Sequence, residues 1–504
     1  MKLQAAVPAT DRANWSWWRE DIERDHGPAQ PALKGQVALD VAIVGGGFAG
    51  LWTAIILKSR APHLKVGLLE ASRVGDGASS RNGGIVHGYW QSLPANIRAF
   101  GADTALELAR LGSEAQQAFK TFVTAPGRNV WWKEEGNLRV ATCPAQEAAL
   151  RKFLDGCAGL GVENYVQPLS APQVRELVGS PVFGSGIYFP EAGNVHPGRL
   201  VLALKAAALE AGVTLYENSP VSRIEEGKPH RVKVDGGIAI ARHVVLATNV
   251  GLAGVSGIGS RMSLFSSYAT MSNRNEDALQ QLGWSKAMGM NDARMFLHYF
   301  RQTRDGRVLM GSGSGPIGWG NDAGAPQLRH DPASLERPRA GLQRLLPGVA
   351  RAGFAQSWGW PIDVSADRVP FFKNPPTGYP LRRWILGTWR PGRMDRRAMP
   401  FVAGTGAEGQ MVPLAVLPTP GPAPATRTVQ IPGRLRHPPG HPRLRGSRAG
   451  RAARLLHRAN RCRIARLAGL AHWRALTPPQ RYQRKNHDSA LRTQRQTPQP
   501  RAGS

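Results

Sequence analysis

Residues 40–50 read DVAIVGGGFAG, a short β-branched run that ends in glycines at G-x-G-x-x-G spacing. The apolar residues 51–58 that follow are typical of a helix. Gly45 permits a tight turn between strand and helix, Gly47 lets a phosphate approach the backbone, and Gly50 lets the helix pack on the sheet. Phosphates bound at such a turn face the positive end of the helix dipole.

An acidic residue at the end of a second strand completes the pattern. Residues 65–69 predict that strand, and Glu70 closes it, where its carboxylate can accept hydrogen bonds from ribose hydroxyls. Strand, glycine turn, helix and acid together predict a dinucleotide-binding site. The alternative is an ordinary glycine-rich turn in another α/β protein, and the pattern alone does not distinguish NAD from FAD.

The next stretch, residues 75–84, is small and polar and reads GDGASSRNGG. Its composition predicts a flexible loop that can surround an anion. With the preceding turn and acid, it resembles the flavin-dependent amine and amino-acid oxidases, which include glycine oxidase, sarcosine oxidase and D-amino-acid oxidase. Its RNGG ending is similar to the gamma-glutamylputrescine oxidase branch. The resemblance implies FAD as the cofactor, with contacts from the loop residues Ser79, Ser80, Arg81, Asn82, Gly83 and Gly84.

Later segments resemble the same family in the same order, from about residue 40 to about residue 378. Residues 305–311 are similar to a family hairpin strand, and residues 358–370 to the segment that leads back to the flavin ring. Asn249 stands where the family has a glycine. The resemblance assigns three further FAD contacts to Val221, Ala247 and Thr248.

These segments predict an α/β protein in which a Rossmann-like FAD-binding domain is interleaved with an antiparallel-sheet substrate domain. Helical patterns at residues 104–122 and 145–159, and strand patterns near residues 265–271, 296–301 and 307–311, indicate the second domain. The expected organisation is an N-terminal lead-in (1–37), FAD-binding segments (38–95, 195–260 and 352–378), substrate-domain segments (96–194 and 261–351) and a basic tail (379–504).

The catalytic candidates lie on one predicted strand. Tyr299 and Arg301 alternate, so they share a face and both can point into a substrate cavity. The alternative is a surface tyrosine and a solvated arginine. The resemblance implies hydride transfer from a neutral amine to the flavin, an imine product, and oxygen as the acceptor. This chemistry needs no dedicated acid–base pair and no metal.

One departure from the family bears on the substrate. Glycine oxidase-like members carry a carboxylate-binding arginine just after a Trp-x-Gly segment, and here residues 358–363 read WGWPID. Without that arginine, an α-amino acid loses its bidentate anchor. We therefore expect a small-molecule amine or polyamine derivative. Asp363 can meet a cationic group of such a substrate, and the alternative for Asp363 is a solvated loop acid.

The sequence changes character at residue 379. Residues 379–504 carry 25 of the 65 lysines and arginines but 3 of the 35 acids, and so hold +22 of the formal charge of +30. The segment is rich in Pro, Gly, Ala and Arg without sustained periodicity. It predicts a disordered basic tail whose removal leaves stability nearly unchanged. The alternatives are a basic arm for nucleic acid and a sequence read in the wrong frame.

A one-base shift of the reading frame favours the last alternative. With suitable synonymous codons, residues 379–394 become IRYAGGFSGHGVQAE, and the GFSGHG run resembles the loop with which the family covers the flavin. We therefore favour a frameshift near Gly378. The tail has few aromatic residues among many arginines, so it lacks the base-stacking platforms of a single-strand binder, and nucleic acid is disfavoured as a partner.

Composition and termini suggest a location. Cys143, Cys157 and Cys462 show neither metal-ligand spacing nor a disulfide framework. Residues 1–10 lack a secretory signal, and the apolar residues 41–57 are interrupted by the glycine turn, so we expect a cytoplasmic protein without a membrane segment. The main hypothesis is an FAD-dependent amine oxidoreductase. The others are an inactive frameshifted product with an incomplete flavin site and a basic nucleic-acid-binding protein.

Overall fold

The computed structural model describes residues 12–255, 258–259 and 262–365, together with short strands at 371–373, 384–387, 404–405 and 411–412. Its α-helices are α1 (Trp17–Asp21), α2 (Phe48–Arg60), α3 (Leu93–Phe100), α4 (Ala102–Val123), α5 (Pro144–Asp155), α6 (Ala171–Leu177), α7 (Pro197–Glu210), α8 (Glu276–Gln281), α9 (Pro332–Leu345) and α10 (Pro347–Ala350). Within the described residues, none of these helices combines the length and the apolarity that a membrane span requires.

The strands lie between the helices in the first half of the chain and follow one another in longer runs after α7. They are β1 (Gly35–Val44), β2 (Val66–Leu69), β3 (Ile85–Val86), β4 (Asn137–Val140), β5 (Gln167–Leu169), β6 (Gly186–Phe189), β7 (Gly193–Asn194), β8 (Thr214–Tyr216), β9 (Val221–Glu225), β10 (His230–Val234), β11 (Gly237–Leu246), β12 (Met262–Ser272), β13 (Gly289–Asp292), β14 (His298–Gln302), β15 (Val308–Ser312), β16 (Phe354–Ser365), β17 (Phe371–Lys373), β18 (Trp384–Gly387), β19 (Gly404–Thr405) and β20 (Met411–Val412).

The first sheet is built around β1. Its order is β17-β18-β11-β1-β2-β8, and β1 runs parallel to both β2 and β11. Val41 and Ile43 pack toward α2 and α7, whereas Ala42 and Val44 pack on the opposite face. A parallel strand covered on both faces needs a continuous apolar run, which explains the sequence of β1.

The second sheet has the order β16-β12-β15-β14-β13-β4-β6-β5, and all neighbours except β13 and β4 are antiparallel. The strands predicted near residues 265–271, 296–301 and 307–311 are β12, β14 and β15. Helix α9 covers one face, where Leu342 and Leu345 join the core of this sheet. The predicted fold class, with a parallel sheet interleaved with an antiparallel one, is confirmed.

Two features bear on the expected boundaries. Strand β16 lies in the range 352–378 that we placed with the FAD-binding segments, but it pairs along its length with β12 of the antiparallel sheet. Strand β18 lies in the segment expected to lack structure, but it pairs in parallel with β11 at Val245 and Leu246. The junction near Gly378 and most of the tail lie outside the described residues.

A pair of truncated chains tests whether β18 belongs to the fold. A chain that ends at residue 387 keeps β18 beside β11, whereas one that ends at residue 378 loses it. We expect the longer chain to be more stable by about 1–2 kcal/mol, the value of one or two backbone hydrogen bonds. Urea unfolding followed by far-UV circular dichroism measures the difference. Equal midpoints would support the tail boundary at residue 379 instead.

Candidate cofactor and substrate site

The glycine turn lies where β1, β11 and α2 meet. Gly45 has φ +108°, and a Cβ on it would lie 2.4 Å from the carbonyl oxygen of Ala247. A Cβ on Gly50 would lie 1.9 Å from the carbonyl oxygen of Gly45. No residue with a side chain fits at either position without moving the backbone. The turn therefore brings the N-terminus of α2 against the carboxyl ends of β1 and β11.

Two oxygen atoms accept hydrogen bonds from the amide groups of this turn. The Oε2 of Glu70 accepts from the amide of Gly46 at 2.7 Å, and the Oγ of Ser79 accepts from the amide of Phe48 at 3.0 Å. Burial raises the pKa of the Glu70 carboxyl, and the hydrogen bonds from Gly46 and Ser72 oppose that rise. The amides at the start of α2 thus already attract oxygen ligands, as the binding of a pyrophosphate requires.

Thr248 offers an unused polar atom beside the turn. Its Oγ1 is buried and has no hydrogen-bond partner among the described residues. Its amide nitrogen lies 3.4 Å from the position of a Cβ on Gly45. Asn249 has φ +50°, a left-handed conformation that asparagine adopts more easily than most residues. This conformation explains why asparagine can replace the glycine of the family. The turn, Glu70 and the Thr248 hydroxyl together fit a dinucleotide.

The chain after β8 runs along Glu70. The amide of Asn218 donates to the carbonyl of Ser72, and that of Ser219 donates to the carbonyl of Glu70, each at 2.8 Å. Val221 begins β9 two residues later. Val221, to which the family resemblance assigns an FAD contact, therefore lies on the Glu70 side of the turn.

In the 75–84 loop, every carbonyl oxygen from Asp76 to Gly84 accepts a hydrogen bond from a protein group. The side chains of Arg81 and Asn82 donate to the first four. The occupied carbonyls fix the peptide planes of the loop, and the amides of Asp76, Arg81 and Gly84 donate to protein acceptors as well. A bound anion would therefore meet the other amides of the loop. The donors to the remaining carbonyls are Ser16 Oγ to Ser80, Trp358 Nε1 to Arg81 (2.9 Å), Trp18 Nε1 to Asn82 (3.0 Å), Arg301 Nε to Gly83 (2.7 Å) and Val195 N to Gly84 (2.8 Å).

One face of the antiparallel sheet packs against this loop. Cross-strand register places Trp358, Trp360 and Ser267 on the same face as Tyr299. The Tyr299 ring lies against the loop, since a Cβ on Gly83 would be 2.9 Å from it. The Tyr299 hydroxyl lies 2.9 Å from the Oγ of Ser267. Burial raises the pKa of Tyr299 to about 12, so the phenol stays protonated at neutral pH.

Arg301 also lies on this face, but backbone groups engage its guanidinium. Its Nε donates to the carbonyl of Gly83 at 2.7 Å and its Nη2 to the carbonyl of Val195 at 2.6 Å. The residue is 4% exposed, and desolvation lowers its pKa. Tyr299 and Arg301 are thus buried side by side next to the loop, as their alternation predicts. Their catalytic roles stay predictions.

One remaining candidate, Asp363, lies elsewhere. Asp363 pairs with Leu264 across the strands, so it points away from the face of Trp360, and burial raises the pKa of Asp363 to about 6. The sequence analysis did not identify Ser16 and Trp18 as part of the site. The signal available in the sequence is the group of three tryptophans among residues 15–18, which by itself indicates only packing against the rest of the fold.

The arrangement matches a known family. A family profile described as "DAO: FAD dependent oxidoreductase" matches residues 40–394. This chain belongs to the FAD-dependent oxidoreductase family. The family establishes that the chain is an enzyme and that its cofactor is FAD, and both predictions are confirmed. The match extends past Gly378 into the segment we interpreted as frameshifted.

Individual relatives agree with the family. The probable oxidoreductase OrdL of Haemophilus influenzae is 25% identical over 349 residues, 66% of this chain and 75% of that protein. Gamma-glutamylputrescine oxidoreductase of Escherichia coli is 29% identical over 285 residues, 56% of this chain and 66% of that protein. The crystal structure of glycine oxidase from Geobacillus kaustophilus has a TM-score of 0.56 and 21% identity, and the match covers 70% of this chain and 90% of that one. The last similarity shows the fold alone.

Replacing Glu70 tests the ribose end of the site. Glu70→Gln should weaken FAD binding by about 1.5 kcal/mol, because a hydrogen bond to a charged acceptor becomes one to a neutral acceptor. Ribose hydroxyls bind the ionised carboxylate, and the pKa of Glu70 is raised. Wild-type affinity should therefore fall as the pH drops through that raised pKa, whereas the affinity of the variant should not.

Quenching of flavin fluorescence on titration of the apoprotein gives the dissociation constant at each pH. Glu176→Gln is the control, since Glu176 is an exposed acid on α6. An unchanged dissociation constant for Glu70→Gln would make Glu70 a structural acceptor for the amides of Gly46 and Ser72 only.

Proposed function

We propose that this enzyme oxidises the C–N bond of an amine that carries no carboxylate next to that bond, with hydride transfer to FAD, an imine product and oxygen as the final acceptor. One observation carries the proposal: the described arginines around the sheet face that packs on the 75–84 loop already donate hydrogen bonds to backbone carbonyls. Recognition of an α-carboxylate calls for a guanidinium with two N–H groups directed at the ligand.

Among the residues that the structure describes, three arginines border this face, and each donates to backbone carbonyls. Arg81 bonds the carbonyl of Gly77 at 2.9 Å, Arg139 bonds that of Gln91 at 3.2 Å, and Arg301 bonds those of Gly83 and Val195. Where the glycine oxidase-like pattern places an arginine, β16 has Trp360, Pro361 and Ile362. This environment favours an amine over an α-amino acid.

The side chains of this face suit a neutral amine. Trp360 and Ile362 are buried and apolar, and they lie opposite Ser267 and Phe265 across the strands. They keep water away from the position that the reacting carbon would take. The paired hydroxyls of Ser267 and Tyr299 can hold an amine nitrogen by accepting its proton in a hydrogen bond. We propose this pair, rather than Arg301, as the polar contact to the substrate.

The relatives are compatible with this substrate class. One is named for gamma-glutamylputrescine, a polyamine derivative, and others are named for glycine and for L-2-hydroxyglutarate. Because the names differ in substrate class, the choice among them rests on the arginines described above.

We also propose the cofactor contacts and the domain division predicted from the sequence, with residues 354–365 moved to the substrate side because β16 pairs with β12. The proposed FAD contacts are Gly45, Gly47, Gly50, Glu70, Ser79, Ser80, Arg81, Asn82, Gly83, Gly84, Val221, Ala247 and Thr248.

A second candidate is that the chain as written is an inactive product of a frameshift. The rise in charge after residue 378 and the GFSGHG peptide of the alternative frame favour it. Two observations favour a chain that stays in the reading frame of the family after residue 378. The family match runs through residue 394, and β18 pairs with β11.

Anaerobic reduction of the flavin tests both candidates. We expect N-acetylputrescine to bleach the flavin absorbance of the FAD-loaded chain at least about tenfold faster than glycine or D-alanine, because the α-carboxylate would be buried without a cation. Air should then restore the absorbance with release of hydrogen peroxide. Equal or faster bleaching by the amino acids would contradict the substrate class. Bleaching only after restoration of the alternative frame would identify the chain as an inactive product.

A further inference from the structure

The segment before β1 crosses the 75–84 loop and donates hydrogen bonds to it. The Oγ of Ser16 donates to the carbonyl of Ser80, and the Nε1 of Trp18 donates to the carbonyl of Asn82 at 3.0 Å. The Nε of Arg19 lies 2.6 Å from the Oδ1 of Asp76. These side chains are buried, and Trp18 is 0% exposed. The lead-in therefore contacts the loop along most of its length.

Other parts of the fold hold this segment in place. The Nε2 of Gln356 donates to the carbonyl of Trp15 at 2.8 Å, and Arg199 forms an ion pair with Asp21 at 2.9 Å. One contact comes from β16 and the other from α7. The antiparallel sheet and helix α7 therefore hold the donors of this segment in place independently of the loop.

We propose that residues 14–21 form part of the cofactor site, and that Trp18 is a positioning residue for FAD that acts through the carbonyl of Asn82. Arg301 does the same at the next carbonyl, that of Gly83. The inference rests on the cofactor of the family and does not depend on which substrate is oxidised.

The sequence of the loop explains why external donors are needed. Gly83 and Gly84 follow Asn82, and Gly84 has φ +70°, so side chains do little to restrict the peptide planes here. If one of these peptide groups flipped, it would direct its carbonyl oxygen, instead of its amide N–H, at an anionic cofactor. Trp18 holds the carbonyl of Asn82 away from that position, so the amide of Gly83 takes its place. Arg301 fixes the next peptide through the carbonyl of Gly83, and the amide of that peptide, on Gly84, donates to the Oδ1 of Asn82 at 2.9 Å.

Trp18 and Arg301 also contact each other. The guanidinium carbon of Arg301 lies 4.8 Å from the centroid of the Trp18 ring. Because burial lowers the pKa of Arg301, this contact with the ring helps to hold its charge in an apolar environment. The two donors thus support one another, and loss of either weakens the hold on the loop.

Trp18→Phe in the full chain tests the proposal, because phenylalanine keeps an aromatic ring and removes the N–H donor. Trp17→Phe is the matched control: its ring packs 5.1 Å from that of Trp18, and in the described residues it donates to none of the loop carbonyls. We expect FAD to bind about tenfold more weakly to the Trp18 variant, because a buried carbonyl loses its donor, and within about twofold of wild type to the control.

The dissociation constants are measured by flavin fluorescence in the absence of substrate, at a temperature where near-UV circular dichroism shows each apoprotein folded. Excess FAD should return the turnover number of the Trp18 variant to that of wild type without changing the substrate KM. An unchanged FAD dissociation constant, with or without a lower melting temperature, would overturn the proposal.

If Trp18→Phe does not fold, Arg301→Lys replaces it, since lysine keeps the charge but cannot reach the carbonyls of Gly83 and Val195 together. Weaker FAD binding by this variant supports the proposal, and unchanged binding overturns it. A chain that binds FAD as expected but oxidises no amine would contradict the proposed function and leave this inference standing.

Discussion

The site depends on the direction in which the peptide groups of the 75–84 loop face. Nine consecutive carbonyl oxygens, from Asp76 to Gly84, accept hydrogen bonds from protein groups. An anionic cofactor needs amide donors, and a glycine-rich loop has no strong preference of its own for presenting them. The rest of the structure can be understood as the scaffold that supplies the donors for those carbonyls. The lead-in supplies two, and β14, β16 and the chain before α7 supply one each.

This arrangement explains why arginine on the sheet face does not by itself indicate a carboxylate site. Arg301 lies in the position that strand alternation predicts, next to Tyr299, but its nitrogens bond the carbonyls of Gly83 and Val195. The same face carries Trp358, whose indole N–H bonds the carbonyl of Arg81. The sheet therefore positions the 75–84 loop with one set of side chains, and the hydroxyls of Ser267 and Tyr299 on the same face are the substrate contact that we propose.

The sequence predicted the parts of the site that depend on neighbouring residues. The glycine turn is encoded within a few positions, and Glu70 follows from the length of one helix and one strand. The contacts of Trp18 with Asn82 and of Arg301 with Gly83 join residues 64 and 218 positions apart. The spacing and periodicity of residues in the sequence do not predict such contacts, because these contacts form only when the two sheets and the lead-in pack around one loop.

The pairing at the edge of the parallel sheet is a second feature that the local sequence could not predict. Composition predicts no structure after residue 378, since arginine, proline and glycine dominate there. The pairing of β18 with β11 depends on an open strand edge supplied by residues 237–246, which local composition cannot report. For the same reason β16 pairs with β12, although its sequence resembles a segment that leads to the flavin.

The central claim is that the chain as written binds FAD through the glycine turn, Glu70 and the 75–84 loop. The most direct test is the flavin content of the purified full chain after saturation with FAD and removal of unbound FAD by gel filtration. The account predicts one equivalent of FAD per chain, released by denaturation and measured by its absorbance. A folded chain that retains no flavin after this treatment would contradict it.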